Sequence, residues 1–295
     1  MNQATLSGLV AILFWSTTVA FSRTLSQKLG PFTTGALIYI IGGTLGLAAL
    51  STTRDGWRQL FNLPKKYMLV CGALFSAYMV LLYLAIGMAK NQEQVLAVGL
   101  ANYLWPALIM VFSLPLLGKR ANLWLVPGVL MALAGTWMTM RLGGGHSNPG
   151  WSASWENLLP VILAFLAAVM WGLYSNLVRK WAPQSGSGVP VFLLVSGLIF
   201  FIMRFATHEA SQWAYSLLPQ LLYMAIFPAW LGYLLWDISM QRGNMPLVTA
   251  FSYLTPVLST LISMIVLKVA PTPLLGLSAL LVTAGALISK AGIRN

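Results

Sequence analysis

The chain has 295 residues, 58% of them hydrophobic and 7% charged, against a usual ~25% charged in soluble domains. Its 17 Lys and Arg outnumber 5 Asp and Glu, for a net charge of +12, but they stand singly or in pairs, which speaks against a nucleic-acid surface. The one cysteine, Cys71, lies in an apolar run, so neither a disulfide framework nor a cysteine metal site is possible.

Mostly apolar blocks separated by short polar joints run at 4–26, 32–51, 67–89, 94–117, 122–141, 157–180, 189–206, 216–241, 246–267 and 273–290. A bilayer core ~30 Å thick needs ~20 apolar residues of helix to cross it. The blocks therefore predict an all-α membrane protein of ten transmembrane helices with almost no soluble part. The first block has no Lys or Arg ahead of it and is too long for a signal h-region, so it is expected to stay as the first span.

An even number of spans puts both termini on one side. That side holds Arg54, Arg58, Lys65, Lys66, Lys119, Arg120, Arg179, Lys180, Arg242, Lys290 and Arg294. The other holds Arg23, Lys28, Lys90, Arg141, Arg204 and Lys268. The excess of basic residues on the first side predicts that both termini are cytoplasmic.

The stretch LGGGHSNPGWSASWE at 142–156 divides five blocks from five. Across it, Asn102-Tyr103-Leu104-Trp105-Pro106 matches Ser252-Tyr253-Leu254-Thr255-Pro256 at an offset of 150, and Ala134-Gly135 falls on Ala284-Gly285 at the same offset. Trp15 and Arg23 are spaced as Trp171 and Arg179 are. We read a duplication, 1–143 and 157–295, with an extracytoplasmic linker at 144–156. Five spans is an odd number, so the second copy enters the membrane in the opposite sense. Such inverted repeats are a mark of secondary transporters, whose substrate site lies near the midplane. Small residues one turn apart, as in Gly42-x-x-x-Gly46 and Gly128-x-x-x-Ala132, predict close helix approaches.

Pro106 and Pro256 each deprive the carbonyl four residues earlier, that of Asn102 or Ser252, of its helical partner. A freed carbonyl at midplane calls for protein or a wet cavity beside it, or for a nearby hydroxyl. This makes Asn102, Tyr103, Trp105, Ser252 and Tyr253 candidate cavity residues and the two prolines candidate hinges. Trp15, Trp171 and Trp236, with Tyr78, Tyr83, Tyr174 and Tyr233, lie inside blocks rather than at the headgroup level where Trp and Tyr usually sit. Trp171 and Tyr174 share a helix face. Ser16 and Thr17 follow Trp15 and either line a path or bond back to carbonyls one turn earlier. Asp237 is the one acid that falls within a block, and is either a coupling site or a partner of Arg242, Arg179 or Lys180.

Enzyme chemistry lacks parts. His146 and His208 fall in loops, no H-E-x-x-H occurs, and Gly143-Gly144-Gly145 is not followed by the Lys of a phosphate loop. No metal, cofactor, nucleic acid or ATP-binding domain is expected in this chain. Its partners would be a small-molecule substrate and membrane lipid.

GLVAILFWSTTVAFSR at 8–23, VGLANYLWPAL at 98–108 and SYLTPVLS at 252–259 resemble the drug/metabolite transporter superfamily of the EamA type, and most closely its amino acid exporters. The resemblance covers the whole chain. It implies a ten-helix exporter of the bacterial inner membrane, two inverted five-helix repeats around a central hydrophobic cavity. It also implies export of amino acids, aromatic ones especially. With two half-bundles around a pocket of little fixed charge, we expect alternating access and broad selectivity. The residues matched directly are Trp15, Ser16, Thr17, Asn102, Tyr103, Trp105 and Pro106. An exporter of organic cations, using the same rings for cation–π contact, is the alternative reading. A channel or non-transporting scaffold is the alternative from another class.

Overall fold

The computed structural model describes residues 2–89, 92–144, 155–182, 186–267 and 273–294, and these are almost entirely helical. Most of the expected 144–156 joint, with His146, lies outside the described residues. Asn2 caps α1 (Gln3–Ser16), its Oδ1 accepting the Thr5 N–H at 2.9 Å. The first expected span is not one helix: α2 (Thr18–Leu29) starts beyond a break at Thr17, where no proline stands. Both the N–H and the hydroxyl of Thr17 turn back to the Phe14 carbonyl, at 3.2 and 2.7 Å. Then come α3 (Pro31–Ser51) and, in the polar joint after it, a short helix, α4 (Gly56–Phe61). The third span opens with a π turn over Tyr67–Cys71 and continues as α5 (Gly72–Met88).

The fourth span is α6 (Gln92–Asn102) and α7 (Trp105–Leu117), followed by β1 (Arg120–Ala121), α8 (Leu125–Gly144), α9 (Trp155–Trp181) and α10 (Val189–Ala206). The eighth block is α11 (Leu218–Met224), a π segment Ala225–Leu231 around Pro228, and α12 (Gly232–Arg242). The ninth is α13 (Met245–Ser252) and α14 (Thr255–Leu267); α15 (Pro273–Ala291) and β2 (Ile293–Arg294) complete the described chain. Both proline kinks read from sequence therefore appear, each as a two-residue interruption just before the proline. Six helical stretches among the described residues are long and apolar enough to cross a bilayer, and large apolar side chains such as Leu69, Val111, Leu198 and Ile202 stand exposed on them. This is a multi-pass membrane protein.

The chain divides into two compact units. The first comprises Met1–Val80 and Leu177–Gly243. Within it α3 and α10 run antiparallel in close contact. A Cβ on Gly43 would meet Leu194 and Pro190, and one on Gly197 would meet Ile40 and Ala36. Shifting by 154 residues and exchanging the helices turns Gly43–Leu194 into Ile40–Gly197 and Gly43–Pro190 into Ala36–Gly197, so each contact has its mirror. Gly30, at φ +85°, leads into α3, whose N–H groups at Phe32 and Thr33 are held at 3.0 and 2.7 Å by the Glu209 carboxylate.

The second unit comprises Leu81–Asn176 and Asn244–Asn295. Here α8 and α15 run antiparallel, with Gly128 against Ser289 and Gly285, Gly285 against Ala132, and Gly135 against Ser278 and Val282. At the offset of 150 found in the sequence, Gly135–Ser278 maps onto Gly128–Gly285, and Gly135–Val282 onto Ala132–Gly285. The pair is closed at one end by β1 and β2, antiparallel with Arg120 opposite Arg294, and by the Asn122 N–H donating to the Gly292 carbonyl at 2.9 Å.

A Cβ on Gly285 would run into the backbone of Ala132. Gly285→Leu is expected to lower stability by about 1–3 kcal/mol through overpacking, read as a fall in melting temperature in detergent. Ala284→Leu, on the exposed flank of the same helix, should leave it unchanged.

Candidate functional site

The residues singled out by sequence fall into both units. In the first, the last turn of α1 meets the π segment and the start of α12. The Trp15 indole N–H donates to the Pro228 carbonyl at 3.1 Å. Its ring lies 5.2 Å from Tyr233 and 5.2 Å from the fully buried Trp236. A Cβ at Gly232 would press on that indole nitrogen, so only glycine lets the ring lie so close. Two residues on, the Thr17 hydroxyl is 2.9 Å from the Tyr223 hydroxyl. Phe14 stands edge-on to Phe227. A helix break at Thr17 and a π segment at 225–231 thus sit side by side, pinned by Trp15 and Thr17.

The Tyr233 ring extends the group. It contacts Phe75 edge-on at 5.0 Å and Tyr39 at 6.5 Å, and the Met79 sulfur receives the Tyr39 hydroxyl at 3.2 Å and the Tyr233 hydroxyl at 3.6 Å. Tyr39, Phe75 and Met79 escaped the sequence reading. Tyr39 carried the same signal as its neighbours, an interior tyrosine at mid-block. Phe75 and Met79 carried none, since an apolar residue on an apolar helix has no visible face. Ser16, read as a candidate, is fully buried with its hydroxyl bonded to the Ile12 carbonyl at 2.7 Å. Tyr78 is half-buried on α5.

In the second unit Trp105, Trp171 and Tyr174 come together. Trp105 stands edge-on to Trp171 at 6.4 Å, and Trp171 lies 4.9 Å from Tyr174. Gly172 lets α9 sit against Leu108 and Phe112 of α7. Asn176, one turn beyond, donates its amide to the carbonyls of Ile109 at 3.0 Å and Gly172 at 2.8 Å. The Asn102 side-chain oxygen, at the end of α6, is buried with no hydrogen-bond partner among the described residues, and so is that of Asn176. Tyr83 and Tyr103 are half-buried.

The two proline kinks differ in chemistry. The carbonyl of Ser252 freed by Pro256 receives the Thr255 hydroxyl at 2.7 Å, and the Ser252 hydroxyl turns to the Thr249 carbonyl at 2.5 Å. At the matching place in the first half stands Trp105, which has no hydroxyl to give. Tyr253 packs in an apolar cluster with Met110, Ala132, Val257 and Val282, its hydroxyl buried and without a hydrogen-bond partner among the described residues. A ring wall beside such oxygens suits a ligand that is part aromatic and part polar. Among the described residues no three His, Cys, Asp or Glu gather as a metal site would require.

The model of the EamA-like transporter family matches residues 3–141 and again 158–290. Over 288 residues the chain is 32% identical to the aromatic amino acid exporter YddG of Escherichia coli K12, covering 97% of this chain and 96% of that one. It is also 32% identical to the protein of the same name from Ancylobacter novellus, covering 98% and 97%. A solved crystal structure superposes with a TM-score of 0.84 at 29% identity, covering 98% of this chain and 97% of the other.

Thr255→Val removes the hydroxyl that answers the Ser252 carbonyl. It is expected to lower stability by about 1–3 kcal/mol, the cost of a buried acceptor left open, in thermal unfolding, with Thr255→Ser restoring it.

Proposed function

The chain belongs to the EamA-like transporter family, and we propose that it exports amino acids, aromatic ones above all and with broad specificity, across the bacterial inner membrane. The observation that carries this reading is near-full-length similarity to proteins named aromatic amino acid exporters. The aromatic groups around Trp15 and Trp171 support it. An amino acid is a zwitterion whose aromatic side chain prefers apolar surroundings. Indole and phenol walls accept that side chain by stacking, while Asn102 and Asn176 have oxygens left to meet its ammonium group.

The architecture proposed is ten spans in two inverted five-helix repeats, 1–143 and 157–295, joined by 144–156, with both termini cytoplasmic. Two facts support it. The family model matches the two halves separately. In each unit, equivalent helices from the two halves run antiparallel with contacts that map onto one another. Such symmetry supplies two related states between which access alternates. The candidate substrate contacts are Trp15, Thr17, Tyr78 and Trp236 in the first unit, and Tyr83, Asn102, Tyr103, Trp105, Trp171 and Tyr174 in the second. Pro106 and Pro256 would serve as hinges, since a helix without one hydrogen bond bends there at least cost.

Reconstituted into liposomes, the protein should move labelled tryptophan, phenylalanine and tyrosine with saturation, and each should compete with the others. Unsaturable flux, or none, would overturn the exporter. Trp15→Ala, Asn102→Ala and Trp171→Ala should each cut the rate severalfold at unchanged expression. For the inverted arrangement, single cysteines at Lys28→Cys and Ser185→Cys should react with an impermeant maleimide from opposite sides of the membrane; reaction from one side would refute it.

A further inference from the structure

Asp237, near the carboxyl end of α12, is fully buried. Its Oδ2 accepts three hydrogen bonds, from the Ser187 hydroxyl at 2.6 Å, the Gln241 amide at 2.9 Å and the Tyr67 hydroxyl at 3.0 Å. Each donor is tied further. The Tyr67 oxygen accepts the Gly188 N–H at 2.9 Å, the Ser187 oxygen accepts the Val189 N–H at 3.2 Å, and the Gln241 amide also donates to the Gly186 carbonyl at 3.1 Å. Gly188 and Val189 begin α10, so the positive end of that helix reaches the carboxylate through two hydroxyls.

Other groups around the site complete its surroundings. From the end of α9, Arg179 donates to the carbonyls of Met240, Gln241 and Gly243, at 3.0, 2.9 and 3.1 Å, and so closes the end of α12. From the third span, the Cys71 thiol lies one turn past Tyr67, within electrostatic reach of Asp237. From α10, Phe192 stands edge-on to Tyr67. Lys65, Lys66 and Arg242 are exposed.

A carboxylate in a low-dielectric interior is tolerable while charge-assisted donors surround it. If the 186–188 joint withdraws, the carboxylate loses the Ser187 hydroxyl, and the Tyr67 hydroxyl loses the Gly188 N–H that backs it, so the buried charge is held by fewer and weaker donors. A carboxylic acid carries no such penalty. Withdrawal of the joint and uptake of a proton are therefore linked, each favouring the other. The geometry suits a proton rather than a metal ion, because the groups around Oδ2 turn hydrogens toward it instead of lone pairs.

We infer that Asp237 is a proton-binding site that fastens the 186–188 joint to α12 when ionised and releases it when protonated. The step adds one proton to Oδ2, taken from water on the face that bears Arg242, and breaks no covalent bond. The link to amino acid export rests on the transporter reading above; the binding site itself does not.

Cys71 is the chain's one cysteine and is fully buried, so its reaction with a maleimide reports opening of this site against no background. At neutral pH, Asp237→Asn should label severalfold faster than wild type. Across a pH series the ratio of wild-type to Asp237→Asn rates should approach one in acid and fall as pH rises; Ser187→Ala, which leaves the charge beside the thiol, separates opening from a change in the thiol's own ionisation. Ser187→Ala keeps the carboxylate and removes one tie, so it should label faster while keeping the pH dependence; it carries the test if Asp237→Asn does not fold. A ratio that stays constant with pH, or Ser187→Ala labelling as wild type does, overturns the proposal. In liposomes, the pH dependence of tryptophan flux should flatten in Asp237→Asn. A pH-dependent labelling ratio in a protein that moves no amino acid would uphold the proton site and overturn the exporter instead.

Discussion

In a bilayer every backbone N–H and C=O has to find a partner inside the protein, because no water is present to supply one. That rule makes an interrupted helix costly, and this chain interrupts several. Several of these breaks come with a local repair. Thr17 returns both its N–H and its hydroxyl to Phe14, Trp15 gives its indole N–H to Pro228 in the π segment, and Thr255 covers the Ser252 carbonyl that Pro256 exposes. Two of these repairs, at Trp15 and Thr17, use side chains that also build the first aromatic group. The helix irregularities and the candidate site are thus products of one arrangement.

The second constraint is distance. Lipid chains are as apolar as leucine, so helices in a membrane associate through close packing rather than through exclusion from water. Glycine sits where this approach is tightest, at Gly43 and Gly197 between α3 and α10, and at Gly128, Gly135 and Gly285 between α8 and α15. Both pairs join a helix of the first half to its equivalent in the second, running the other way. Under a fixed shift in numbering, with the two helices exchanged, the contacts of each pair map onto one another. The shift is 154 in one pair and 150 in the other, a difference that records small insertions between the second and fifth spans.

The apolar blocks were legible as helices because bilayer thickness sets block length, although the first, fourth and ninth blocks each form two helices rather than one. The proline kinks were legible too, since Pro106 and Pro256 announce a missing N–H. The break at Thr17 and the π turns at 67–71 and 225–231 were not, because hydroxyls and rings on neighbouring spans decide them. Facing direction was hidden for a similar reason. Lipid and protein interior are both apolar here, so Phe75 and Met79 read like Leu69 and Leu130, although the first two are buried and the last two exposed. Asp237 was visible as an acid in a span, but its donors Tyr67, Ser187 and Gln241 come from three places along the chain.

The pairing of α8 with α15 bears on how the protein is made. Ribosomes deliver the glycine face of α8 to the membrane roughly 150 residues before its partner exists, an interval on the order of 7–30 s at usual rates of synthesis. Until then a close-packing groove meant for another helix faces lipid or the insertion machinery. α15 thereby completes the second unit, and the short strand behind it fastens to residues made long before. Truncation just ahead of residue 273 would strand that groove and leave nascent chains for quality control.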